Sequence, residues 1–277
     1  VSPSVPQAPA ERSASGESGA VELVKDKLYL VGGTIPLDGG QASWVPDSTT
    51  GYQTCNSYVL LGEQPLIVDT ALEYVQDGVM AGLQQVLPPG TATELFLTRS
   101  QLDCVGNLGA IADVYPLARI FTGGGLNVFD SFGDATSVNP SLRARDLEVL
   151  RTPEESPLEI YGPPVRVLAT SWGYESQTRT LFSSDTFSHV VLENPDDSWV
   201  VDSADVDHAT IDDLRGHLYA SIWWLPGAEK SGIPQSLRDF FDSHPIDIIA
   251  PSRGCVLRGE DVVARHVEML LSVLGED

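Results

Sequence analysis

Residues Leu95–Asn107 read LFLTRSQLDCVGN, and the fold turns on how this stretch is understood. A short apolar strand, Leu95 to Thr98, runs into a polar loop, and Val105-Gly106-Asn107-Leu108 then opens a helix. Such a frame can gather several side chains of one loop at a single point. Not all the side chains inside the frame suit a metal, because the loop carries Arg99 and Gln101 beside Asp103 and Cys104. Metal ions need lone pairs from imidazole, carboxylate or thiolate. A guanidinium stays protonated and has none to offer.

Working outward, four further segments fall in a telling order. Asn56-Ser57-Tyr58-Val59-Leu60 and Pro65-Leu66-Ile67-Val68-Asp69-Thr70 precede the loop. Thr180-Leu181-Phe182-Ser183-Ser184-Asp185-Thr186-Phe187 follows it, and Ile249-Ala250-Pro251-Ser252-Arg253-Gly254 comes last. From about Val21 to the end the chain resembles the metallo-β-lactamase superfamily, whose loop reads T-H-x-[HE]-x-D-H-x-G. It is most similar to the flavodiiron and oxygen-sensing di-iron branch, with its N-x-Y strand, L-I-D-T turn, L-F-S-x-D-x-F segment and P-S-H-G. The resemblance implies an αββα sandwich, two mixed sheets packed face to face with helices outside and a site at one edge. It also implies a dismantled dinuclear centre. Asp103 and Asp185 match ligands, Arg99 and Arg253 stand at histidine positions, and Leu168 to Tyr174 holds no counterpart of the third histidine.

Local patterns support alternating strands and helices. Leu28 to Val31, Ser57 to Leu61 and Pro65 to Asp69 read as strands, and Glu73 to Leu87 carries apolar residues at helical spacing up to Pro88-Pro89-Gly90. Ala118 to Phe121, Val165 to Ala169, Thr180 to Ser183 and Ile246 to Ala250 read as further strands, the first ended by Gly123-Gly124-Gly125. Thr210 to Trp224, Pro234 to Phe241 and Glu260 to Leu274 read as helices. The glycine run lacks the Lys-Ser/Thr of a phosphate loop, so a turn is expected.

Length and charge narrow the function classes. The 277 residues suit one domain, expected over residues 21–277 behind a leader at 1–20 rich in Pro, Ser, Ala and Gly. The leader lacks the apolar run of about 7–15 residues that a secretory signal requires, and no stretch reaches the roughly 18 apolar residues of a membrane span. A cytoplasmic location is expected. The net charge of -23 argues against nucleic acid or an anionic membrane as partner. Cys55, Cys104 and Cys255 are odd in number and widely spaced, which does not suggest a disulfide framework. No flavin-binding segment accompanies the lactamase-like one, and no cofactor is expected.

Two arginines beside retained aspartates suggest fixed positive charge standing where cations would sit. Arg99 and Arg253 then either close the old site as ion pairs with Asp103, Asp185 and Asp69, or face a cleft and bind a substrate carboxylate, phosphate or oxyanion. Asp103 or Asp185 is a candidate acid or base. Cys104 is a candidate nucleophile if an arginine lowers its pKa, although a free cysteine also serves as small apolar filler. Gln101, Asp69, Trp172 and Tyr174 are candidates to line a pocket, the last two because their segment replaces the missing histidine loop. A rebuilt mononuclear site would draw on Asp103, Cys104 and Asp185, with His189 the histidine nearest to a motif residue in sequence. Trp223 and Trp224 suit core or subunit contact.

The leading expectation is a metal-independent enzyme acting on a small anionic or carbonyl-containing molecule, in a chain that can form a homodimer. A non-catalytic binding or sensing protein of the same fold is the alternative, and a rebuilt mononuclear metal hydrolase or oxidoreductase the second. A pocket with unpaired arginines favours the enzyme. A closed arginine–aspartate network favours the binder.

Overall fold

The computed structural model describes residues 19–37, 42–122, 142–143, 148–149, 157–166 and 169–275. One sheet has the order β1-β2-β3-β4-β5-β6-β7: Val21–Val24, Leu28–Pro36, Tyr52–Leu60, Leu66–Val68, Thr93–Leu97, Leu117–Thr122 and Leu142–Arg143. The other runs β12-β14-β13-β11-β10-β9-β8, from Val200–Val201 through Val256–Arg258, Ile248–Pro251, Thr180–Ser184, Trp172–Glu175 and Leu158–Tyr161 to Glu148–Val149. Both sheets are mixed: β4, β5 and β6 pair in parallel, as do β11 and β13, while β2 pairs antiparallel with β3.

The layering follows from the two-residue period of a strand, which sends alternate side chains to opposite faces. In the first sheet Tyr58, Leu60, Leu66, Val68 and Phe96 enter one core, with Trp172, Leu181, Phe182 and Ile249 of the second sheet. Their immediate neighbours Val59, Ile67, Leu95 and Leu97 enter the other core, under Val79, Leu83, Leu108 and Ile111. Those four come from α1 (Gln76–Val86) and α3 (Leu108–Val114), either side of the short α2 (Leu102–Val105). Helices α4 (Ile211–Ser221), α5 (Ile233–Ser243) and α6 (Glu260–Gly275) cover the second sheet through Leu214, Leu218, Leu237, Val263 and Leu270. Strands apolar on both faces need cover on both, and the result is the expected αββα sandwich.

Most of the expected elements are present, with shifted ends. Thr210 caps α4 instead of joining it, its hydroxyl accepting from Asp213 N while Asp213 accepts from Thr210 N at 2.8 Å. The same helix stops at Ser221, before Trp224, and a 3-10 turn through Pro226 follows. Another 3-10 turn, Glu73–Val75, leads into α1. The strand expected over Val165 to Ala169 is corrected: residues 165, 166 and 169 are not in a strand, and 167–168 lie outside the described residues. Pro163-Pro164 just ahead remove two backbone donors that a ladder needs. Strands β1, β7, β8, β9, β10, β12 and β14 were not anticipated. The glycine run at 123–125 and nearly all of the leader lie outside the described residues. Among the described residues no helix is long and apolar enough to cross a membrane.

Candidate functional site

Four segments, two from each sheet, converge at one end of the sandwich, each anchored by hydrogen bonds. Asp69 follows β4 with φ +54°, a left-handed conformation that an L-residue adopts only when its surroundings hold it there. Thr98 supplies that hold, donating from its amide to Asp69 Oδ1 at 2.8 Å and from its hydroxyl to Oδ2 at 2.7 Å. The loop from Arg99 to Asn107 is pinned to the following turn. Thr70 N donates to Cys104 O at 2.7 Å, Gly106 N to Ala71 O at 3.0 Å, and Asn107 Nδ2 to Thr70 O at 2.7 Å.

The last loop is held from β3. Asn56 N donates to Ser252 O at 2.9 Å, Asn56 Nδ2 to the carbonyls of Pro251 and Gly254 at 2.9 and 2.8 Å, and Tyr58 OH to Pro251 O at 2.6 Å. The N-x-Y residues therefore have a definite task here. They fix the turn that presents Arg253, which Gly254 at φ +80° makes sharp. Asp185 follows Ser184, itself at φ +54°, and its carbonyl lies 2.8 Å from His217 Nε2 on α4.

What these anchors bring together is an alternating line of charge. Arg99 donates from Nη1 to Asp185 Oδ2 and from Nη2 to Asp103 Oδ2, and Arg253 donates from Nη1 to the same Asp103 oxygen. The Arg253 guanidinium also stacks over the Trp44 ring, 4.5 Å from its centroid. Arg99 and Arg253 are only 3% and 2% exposed. Burial works against the Arg99 charge, but Asp185 and Asp103 outweigh it and hold its pKa above the usual arginine value. Burial likewise opposes ionisation of Asp185, yet Arg99, Arg253 and His217 prevail and keep its pKa below the ordinary carboxylate value.

Asp69 behaves differently. Burial pushes it up to about 7, only partly offset by its two Thr98 hydrogen bonds. His217 is pushed down to about 4, first by burial and then by the nearby arginine charge, against the pull of Asp185. Beside the cluster lies a cleft of about 330 Å³, lined by Arg99, Asp103, Asp185 and Arg253 together with Gln101, Trp44, Ser43, Leu72, Leu102 and Ser221.

Several expectations need correction. Trp172 and Tyr174 do not line this cleft: Trp172 is 1% exposed, packs against Phe240 and Phe241, and donates to Thr186 Oγ1, while Tyr174 donates to Pro245 O at 2.9 Å. Both lie on a strand whose two faces are covered, which turns them into the core. Trp44 occupies the aromatic place instead, and its loop sequence carried no periodic signal that could have marked it. Asp69 lies behind the cluster, not in the cleft wall. The arginines are not free, as an anion site between them would need.

The cysteines do not converge. Cys55 and Cys104 are buried in the core under α1 to α3, whereas Cys255 belongs to the core between the sheets and the α4 to α6 layer. Burial raises the Cys104 thiol well above its ordinary range and pushes Cys55 and Cys255 up to about 12. Such thiols are poor nucleophiles. His189, considered for a rebuilt metal site, lies 2.9 Å from His266 Nδ1, and His266 Nε2 lies 3.0 Å from Asp207 Oδ2. It serves a buried polar chain. Of the tryptophan pair, Trp223 is 77% exposed and Trp224 packs against the core.

A pair of metal ions does not fit these donors. Arg99 and Arg253 bring guanidinium groups into the cluster, and the aspartate oxygens that would face a cation accept from them. Among the described residues no group of three or more His, Cys, Asp and Glu side chains is placed to hold a metal ion.

No protein-family model matches the sequence, and a search of the curated proteins finds no match. Solved structures do match. Rubredoxin oxygen:oxidoreductase from Desulfovibrio gigas aligns over 91% of this chain and 61% of its own, with TM-score 0.71 and 19% identity. A flavodiiron core from Synechocystis aligns over 91% and 60%, with TM-score 0.69 and 17% identity. The flavodiiron protein from Giardia intestinalis aligns over 92% and 58%, with TM-score 0.67 and 15% identity. The chain thus spans less than two thirds of the length of these structures, and at such identities the likeness is one of fold. The likeness to these structures gives this chain the metallo-β-lactamase fold, in the form that flavodiiron proteins share.

Proposed function

We propose that this chain is a non-catalytic binding or sensing protein, in which an arginine–aspartate cluster stands where the fold otherwise builds a dinuclear metal centre. The observation that carries this reading is the shared oxygen: Asp103 Oδ2 accepts from both Arg99 and Arg253. An oxygen engaged by two guanidinium donors is not available to a metal, and arginines engaged by carboxylates are not poised to polarise a substrate. The enzyme expectation needs a base or nucleophile at the cleft. Cys104 and Asp69, whose properties come nearest, are buried behind it, and Asp185 is held ionised by Arg99.

Metal loading tests this reading directly. Purified chain incubated anaerobically with Fe(II), and separately with Zn(II) or Mn(II), then desalted, should retain far less than one atom per chain by elemental analysis. Stoichiometric retention of any of the three would end the proposal.

A further inference from the structure

The polar atoms that the cluster leaves unused specify a ligand chemistry, given the binding role proposed above. Arg99 uses both terminal nitrogens on aspartates, whereas Arg253 uses Nη1 alone and leaves Nη2 without a hydrogen bond among the described residues. Asp103 and Asp185 each use Oδ2 and leave Oδ1 without a side-chain partner among the described residues. All three of these residues line the cleft. Its wall thus offers one cationic donor and two anionic acceptors side by side. Leu72, Leu102 and Trp44 supply apolar surface, and Ser43, Gln101 and Ser221 supply neutral polar groups.

Charge decides among ligand classes. Two guanidinium groups cancel two carboxylates, so the cluster has no net attraction for an anion, and a chain of net charge -23 opposes one at longer range. A lone cation would meet Arg253. A molecule bearing both charges satisfies both kinds of group, because opposite charges close together pair strongly where water is partly excluded. We propose that the cleft takes a small zwitterion of the α-amino-acid class with an apolar side chain. Its ammonium group sits at Asp103 Oδ1 or Asp185 Oδ1, its carboxylate at Arg253 Nη2, and its side chain against Leu72 and Leu102. This replaces the anionic ligand expected from the sequence.

Calorimetric titration of the full chain with two matched sets of probes tests the proposal. One set is L-leucine, isocaproate and isoamylamine, and the other is L-phenylalanine, hydrocinnamate and phenethylamine. At least one amino acid should bind, with both of its single-charge analogues about tenfold weaker or worse. An acid binding as well as its parent amino acid would make this an anion site, and an amine doing so a cation site. Either outcome overturns the proposal, as does failure of all six to bind. Leu102 is 67% exposed, so Leu102→Asp should fold normally while setting a charged carboxylate against the apolar side chain of the ligand. It should weaken binding about tenfold at unchanged melting temperature. Undiminished binding would place the ligand elsewhere. These results are separable from the reading beneath them: a chain that refuses both metals and amino acids loses only this inference, while a chain that loads metal loses the proposed function.

Discussion

Arg253 donates from Nη1 to Asp103 Oδ2, although the two residues stand 150 positions apart. That oxygen also accepts from Arg99, whose other terminal nitrogen reaches Asp185. The four side chains therefore act as one unit, and substitutions within it should not add independently. Position in the line sets their ranking.

Arg99 bridges two carboxylates, so Arg99→Gln should leave Asp185 without its guanidinium partner and cost about 3–5 kcal/mol. Arg253→Gln leaves Asp103 still paired with Arg99 and should cost about 1–3 kcal/mol, the value of a charged hydrogen bond. Urea unfolding of the two variants checks the order. A reversal would identify Arg253 as the hub. Arg253→His should be destabilised similarly and should still retain no Fe(II), because Arg99 continues to occupy Asp103 and Asp185.

Asp69 should leave a signature in the pH dependence of stability. Its pKa is 3.8 when free and about 7 in the fold. Since the folded value is raised, its stabilising contribution is complete below about pH 4 and is lost as pH rises towards 7. The total is on the order of 4 kcal/mol at one pKa unit per 1.36 kcal/mol. Asp69→Asn removes the titration while its Oδ1 can still accept from Thr98 N. Measured against the parent across this range, the variant should gain relative stability as pH increases. A difference between the two that stays level with pH would show that Asp69 is ionised throughout.

The thiols should be silent in the folded protein. Cys55, Cys104 and Cys255 are all free and buried. Ellman's reagent at mildly alkaline pH should find no reactive thiol in native protein and the full complement after denaturation. Fast modification of Cys104 in native protein would restore it as a candidate nucleophile.

Gly106 locks the loop that bears Arg99 and Asp103. A Cβ there would come within 2.4 Å of Glu73 N and 2.8 Å of Ala71 O, both backbone atoms that cannot swing aside. Gly106→Ala should cost about 1–3 kcal/mol. Because the loop must move, hydrogen exchange at Thr70 and Gly106 amides should accelerate more than exchange in α6. Equal acceleration in both places would mean general loosening instead of a local wedge.

Much of the fold was legible because it rests on local regularities. The strand–loop–helix frame at Leu95 to Asn107, the Asn56 to Tyr58 strand and the helical spacing after Glu73 are set by near neighbours along the chain, and each reappears in the structure. Strands such as Leu158–Tyr161 and Trp172–Glu175 escaped notice because four residues carry too little periodicity to separate a strand from a loop. At the site, residue types determined that two arginines and two aspartates were available to pair. Which carboxylate each arginine takes was decided only by tertiary structure. So was the burial of Trp172 and Tyr174, the arrival of Trp44 over Arg253, and the separation of Cys255 from Cys55 and Cys104. The reason is physical: a guanidinium reaches several ångströms from its backbone, and its partner is chosen by how distant segments pack and which charges burial leaves close together.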